Sequence, residues 1–152
     1  ACGSLATFDS VKRRMEVRGV VNGITVYDDF AHHPTAIATT VGGLRQKIGS
    51  SGRILAVLEP RSNTMKLGAM KDALPGSLKD ADLVFGYGSH AALGWSLGDA
   101  LAPLGKIASA YEDIDMLVAA VVASARPGDQ IVVMSNGGFG GVHQKLLEAL
   151  GR

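Results

Sequence analysis

Met15-Glu16-Val17-Arg18-Gly19-Val20-Val21-Asn22-Gly23-Ile24-Thr25-Val26-Tyr27-Asp28-Asp29-Phe30-Ala31-His32-His33-Pro34 is the stretch on which the fold turns. Two β-rich runs, Met15 to Val21 and Ile24 to Asp28, flank Asn22-Gly23. That pair suits a two-residue type I′ hairpin turn, which needs positive φ at both central positions. After Pro34 the period changes. Ile37, Val41, Leu44 and Ile48 recur at helical spacing, with Pro34 in the first turn and Gly49 beyond the last. The hairpin therefore delivers two carboxylates and two imidazoles to the start of a helix.

Further along, strands and helices alternate. Ile54 to Leu58 is a short continuous apolar run, as expected of a strand buried on both faces. Leu67, Met70 and Leu74 predict a helix stopped by Pro75, and Leu83 to Phe85 predicts another buried strand. Leu93, Leu97, Leu101 and Leu104 trace a helical stripe interrupted by Gly94, Gly98 and Pro103. A short strand is expected at Ile107 to Ala110. Ile114, Leu117, Val118, Val121 and Val122 form an amphipathic helix. Ile131 to Met134 is the last strand, and Val142, Leu146 and Leu150 line a closing helix. A hairpin followed by βα units implies an α/β fold: a Rossmann-like, three-layer open sheet, mostly parallel, with the N-terminal hairpin strand antiparallel. No repeat, low-complexity tract or linker divides residues 1–152, so one domain is expected.

Composition excludes several functions. Of 152 residues, 47% are hydrophobic and 19% charged, which fits a folded domain. A formal net charge of +1 gives no electrostatic footprint for nucleic acid or an anionic membrane. No apolar run reaches the roughly 20 residues that span a bilayer, and residues 1–9 do not read as a secretory signal. The single cysteine, Cys2, excludes a disulfide framework and fits a reducing, cytoplasmic setting.

In open parallel sheets ligands bind at the carboxyl ends of the strands, and three unusual segments are expected there. Asp28 to Pro34 joins carboxylates and imidazoles to a helix N-terminus, a place suited to ribose hydroxyls and phosphate. An N-cap role accounts for the same residues. A dedicated metal site is disfavoured, because adjacent histidines rarely converge on one ion without further ligands. Glu59-Pro60-Arg61-Ser62-Asn63-Thr64 offers a guanidinium and small polar groups that could grip a carboxylate or amide; a solvated, helix-capping loop is the plainer reading. Ser135-Asn136-Gly137-Gly138-Phe139-Gly140-Gly141 lets the main chain approach a ligand closely, or simply packs the last helix on the sheet. It matches neither a dinucleotide fingerprint nor a phosphate loop with its lysine. Lys12-Arg13-Arg14 reads as a solvated basic run, and His90 and His143 read as surface or capping residues.

Taken together, Arg13-Arg14, the hairpin followed by Asp28-Asp29-Phe30-Ala31-His32-His33-Pro34, and the two later loops resemble the C-terminal domain of the Mur ligases. These enzymes join amino acids or peptides to UDP-N-acetylmuramic acid. The strings Val11 to Glu16, Glu59 to Gly68 and Met134 to Gly141 are most similar to members whose amine substrate is a whole murein tripeptide. The resemblance covers essentially everything after residue 8.

It implies that Arg14 contacts ATP, Asp29 the nucleotide ribose, and His32 and His33 the neighbourhood of the phosphates. It also implies that Arg61, Ser62, Asn63 and Thr64 meet the incoming amine substrate, with Ser135, Asn136, Gly137 and Gly138 lining the same side. The cofactors implied are ATP and Mg2+, the latter held mainly by two preceding domains that also carry the phosphate loop and the UDP-N-acetylmuramate site. No complete catalytic set is expected in this chain, which alone should be inactive. Two other readings stay open: the same domain of the ligase that adds L-alanine, and a non-catalytic nucleotide-binding module.

Overall fold

A computed structural model describes residues 16–29, 34–49, 52–59, 73–88, 97–135 and 141–151. The hairpin consists of β1 (Glu16–Val21) and β2 (Ile24–Asp29), paired antiparallel. At its turn Asn22 and Gly23 have φ of 54° and 80°, the two positive values that a type I′ turn requires. Helix α1 (Pro34–Ile48) follows and ends at Gly49, whose φ of 59° reverses the chain while its N–H bonds to the Arg45 carbonyl at 2.8 Å.

Beyond α1 come β3 (Ile54–Leu58), β4 (Leu83–Tyr87), α2 (Leu97–Leu101), β5 (Ala108–Tyr111), α3 (Ile114–Ser124), β6 (Gln130–Met134) and α4 (Val142–Leu150). The sheet order is β1-β2-β6-β3-β4-β5, and every pairing after the hairpin is parallel. The expected mostly parallel open sheet with one antiparallel strand is what forms.

Strand alternation divides the core in two. Tyr27, Ile54, Ala56, Leu58, Val132 and Met134 face α1, α2 and the segment around Leu74 and Leu78. Val26, Leu55, Val57, Ile131 and Val133 face α3 and α4 through Leu117, Val121, Val142, Leu146 and Leu150. Strands β3 and β6 are apolar on both sides because each of their faces is covered by helices.

Two expectations need correction. Pro75 does not stop a helix: residues 73–77 are helical and Pro75 lies within them, while Leu67 and Met70 lie outside the described residues. Within the described part of the stripe from Leu93 to Leu104, α2 gives way at Ala102 to a 3-10 segment, Ala102–Ile107. Pro103 lies at its start and Gly105, with φ of 73°, breaks it. The strand after it lies one residue later than expected.

The amino-terminal edge of the sheet is tied by two arginines. Arg45 of α1 donates to the carbonyls of Asp80, Gly49 and Gly52 and to the carboxylate of Asp82, which also accepts from Ile54 N–H. Arg53 grips Asp129 with two nitrogens, at 3.1 and 2.6 Å, and reaches the Ser124 carbonyl. That hydrogen bond to Asp129 is the main cause raising the Arg53 pKa above its ordinary value.

Candidate functional site

At the opposite, carboxyl-terminal edge the three adjacent strands β2, β6 and β3 end together. Asp28 and Asp29 close β2, both almost fully buried. Being neighbours on a strand, they point to opposite faces. Asp28 lies on the α4 face, where its Oδ1 is 2.9 Å from His143 Nε2. Alternation turns Asp29 to the other face, the side of the sheet that α1 covers.

Asp28 has a second partner. The register of β1 on β2 slips between Val17 and Gly19, leaving Arg18 as the extra residue of a bulge. Arg18 Nη1 donates to Asp28 Oδ2 at 3.3 Å from a side chain still 40% exposed. At the next residue, Gly19, α4 packs closely: a Cβ there would stand 2.9 Å from Leu147 Cδ2. At the other end of α4, Asn22 Nδ2 donates to the Leu150 carbonyl at 2.7 Å, so the hairpin and the last helix are joined at both ends.

Ser135 links the remaining strands. Its backbone N–H donates to the Asp29 carbonyl at 3.2 Å, and its Oγ donates to Glu59 Oε1 at 2.7 Å. Glu59 N–H in turn donates to the Met134 carbonyl at 3.0 Å. Ser135 is fully buried, so its hydroxyl sits where an ionised acceptor makes a strong hydrogen bond. The ends of β2, β6 and β3 thus form one polar seam over an otherwise apolar sheet.

Of the residues that the sequence singles out, the structure brings Asp29 and Ser135 together. Arg14, His32, His33, Arg61, Ser62, Asn63, Thr64, Asn136, Gly137 and Gly138 lie outside the described residues. His143 is a correction: it is buried against Asp28, not a surface residue. Its signal was available, since 143, 146, 147 and 150 share one helical face whose other members are leucines. Glu59, given no separate role from sequence, is the acceptor for Ser135. Among the described residues no group of three or more His, Cys, Asp or Glu side chains is placed to hold a metal ion. No helix there is long and apolar enough to cross a membrane.

This chain belongs to the Mur ligase family: residues 13–137 match its glutamate ligase domain. That domain is the C-terminal one of these enzymes. Within the family, the chain is 52% identical over 152 residues to UDP-N-acetylmuramate–L-alanyl-γ-D-glutamyl-meso-2,6-diaminoheptandioate ligase of Escherichia coli K12, covering 100% of this chain and 33% of the relative. A crystal structure of a domain from a putative ligase of that kind from Haemophilus ducreyi 35000HP superposes with a TM-score of 0.77 at 52% identity, over 90% of this chain and 99% of that one. The murein peptide ligase of Psychrobacter arcticus 273-4 superposes with a TM-score of 0.85 at 43% identity, over 99% of this chain and 32% of that one. This chain therefore spans about a third of the length of the curated relatives it matches.

Proposed function

We propose that this chain is the C-terminal domain of an ATP-dependent ligase that joins the murein tripeptide L-alanyl-γ-D-glutamyl-meso-diaminopimelate to UDP-N-acetylmuramate. The carboxyl edge of its sheet would hold nucleotide and peptide for chemistry completed by two preceding domains. The observation that carries this reading is the polar seam itself, which anchors the Asp28 to Pro34 segment, the Glu59 to Thr64 segment and the Ser135 to Gly141 segment at one place. The 52% identity to a tripeptide-adding ligase favours the tripeptide over L-alanine as the amine substrate.

In this reading ATP activates the muramoyl carboxylate as an acyl phosphate, and the tripeptide amine displaces phosphate through a tetrahedral intermediate. The domain's own contribution is positioning and charge stabilisation. Asp29 accepts from ribose hydroxyls, Arg14 meets the nucleotide, and His32 and His33 stand toward the phosphates. Arg61 to Thr64 and Ser135 to Gly138 receive the tripeptide. Mg2+ is assigned mainly to the preceding domains.

The test uses the complete ligase and the 152-residue chain side by side. Asp29→Asn in the ligase should raise the ATP KM about tenfold while leaving the tripeptide KM within about twofold. The chain alone should release no phosphate with ATP, UDP-N-acetylmuramate and tripeptide. Tripeptide-dependent release by the chain alone, or an unchanged ATP KM in Asp29→Asn, would overturn the proposal. Tight nucleotide binding by the chain alone would favour a free-standing binding module, and L-alanine outcompeting tripeptide in the ligase would favour the L-alanine-adding relative.

A further inference from the structure

We propose that His143 and Asp28 are positioning residues: their buried contact, backed by Arg18, seats the start of α4 on the end of β2 and thereby sets Asp29 in the geometry that nucleotide binding needs. The inference rests on the reading of Asp29 as a nucleotide contact and extends it to residues that have no ligand role of their own.

The place of the contact is the first argument. Asp28 immediately precedes Asp29, and His143 is the second residue of α4, directly after the glycine-rich segment that ends at Gly141. A single 2.9 Å contact therefore joins the anchor points of two of the three loops at this edge. Ser135, bonded to the Asp29 carbonyl and to Glu59, joins the third. Displacement of the start of α4 along β2 would pull on Asp28 and so shift Asp29, the next and last residue of that strand.

Chemistry supplies the second argument. The side chains of His143 and Asp28 are 7% and 3% exposed, within the apolar cluster formed by Val26, Val142 and Leu146. An apolar pair would continue that cluster without desolvating a carboxylate, so packing alone does not call for these residues. A hydrogen-bonded pair, unlike two aliphatic side chains, has one well-defined geometry, and a helix seated by it has one register. With Asp28 ionised, Nε2 of His143 carries the proton and donates. The bulge at Arg18 works to the same end, aiming a guanidinium at the other carboxylate oxygen.

The experiment uses the complete ligase and four variants: His143→Leu, His143→Gln, His143→Asn and, as reference, Asp29→Asn. The apparent KM for ATP and for tripeptide, kcat and the thermal midpoint are measured for each. His143→Leu should raise the ATP KM about tenfold, with the tripeptide KM within about twofold. His143→Gln, whose terminal amide can reach where Nε2 stands, should recover most of that loss. His143→Asn is too short to do so and should not. An ATP KM within twofold of the parent in a folded His143→Leu enzyme overturns the proposal, whatever the thermal midpoint does. Should His143→Leu not fold, the Gln and Asn variants decide: a raised ATP KM in Asn alone supports positioning, and equal values overturn it.

Asp29→Asn separates the two claims. If it raises the ATP KM and His143→Leu does not, positioning falls and the nucleotide reading stands. If Asp29→Asn leaves the ATP KM unchanged, both fall, because the pair is argued to act through Asp29.

Discussion

Replacing Asp129 by alanine tests whether the amino edge of the sheet carries stability separately from the ligand edge. Asp129 is 4% exposed and its carboxylate accepts from Arg53 Nε at 3.1 Å, Arg53 Nη2 at 2.6 Å and Arg126 N–H at 2.7 Å. Removing it strips the first turn before β6 of its acceptor and leaves Arg53 with the Ser124 carbonyl. Hydrogen bonds to a buried charge contribute about 1.5–3 kcal/mol each. Arg53 is 31% exposed and can rehydrate, which discounts its share to about 1 kcal/mol. The orphaned Arg126 N–H adds about 1–2 kcal/mol. The expected loss is about 2–3 kcal/mol, or a fall in thermal midpoint of about 4–12 °C for a domain of this size.

Urea unfolding followed by far-ultraviolet circular dichroism should show a lower midpoint at unchanged slope. The sign of the pH dependence is fixed too. Arg53 has its pKa raised on folding, chiefly by the hydrogen bond to Asp129, so its contribution is complete below the unfolded arginine value and fades only as pH climbs through the higher folded one. The difference between parent and variant should therefore be flat from about pH 7 to 9. A destabilisation below about 1 kcal/mol, or one that vanishes at mildly alkaline pH, would refute the reasoning.

Two further perturbations probe close packing. Gly52→Ala would place a Cβ 2.6 Å from the Gly128 carbonyl oxygen, a backbone atom that cannot yield cheaply, and should cost about 1–3 kcal/mol; an unchanged urea midpoint would show that the two loops separate freely. Leu117→Ala removes a fully buried side chain of α3 from the cluster shared with α4 and should cost about 3 kcal/mol by the same measurement. A cost near zero would mean that α3 is not seated as described.

Much of the fold was legible because its signals are local. Asn22-Gly23 predicts its turn from the φ values that it alone tolerates well, and β3 and β6 are recognisable as unbroken apolar runs. The period of Ile37, Val41, Leu44 and Ile48, opened by Pro34, marks out α1 (Pro34–Ile48). Local signals fail where two rules compete in one turn: Pro75 lies within a helical segment although proline usually ends one, and Gly105 splits what an apolar spacing would continue. The seam was hidden for a different reason. Residues 28, 59, 135 and 143 meet only because β6, from the end of the chain, inserts between β2 and β3. Alternation of strands and helices predicts a parallel sheet without predicting that order. The immediate sequence neighbours of His143 say nothing about a carboxylate 115 positions away.

The division between the two edges follows from the same topology. In a parallel sheet every strand starts at one edge and finishes at the other, so polar groups placed at either edge meet only their own kind. The arginine ties at the amino edge keep their guanidiniums partly exposed, with Arg45 and Arg53 side chains 27% and 31% accessible, so of the two carboxylates they hold only Asp129 is desolvated. At the carboxyl edge the polar groups are buried: Asp28, Asp29, Ser135 and His143 all have 5% exposure or less. Burying them there costs stability that the apolar core and the amino-edge ties offset, and what it gives is geometry: three loops anchored by directed hydrogen bonds instead of by packing that could slide. A site built this way should lose substrate affinity when a directed contact is removed, even where the fold survives, whereas the amino edge should lose stability and keep affinity.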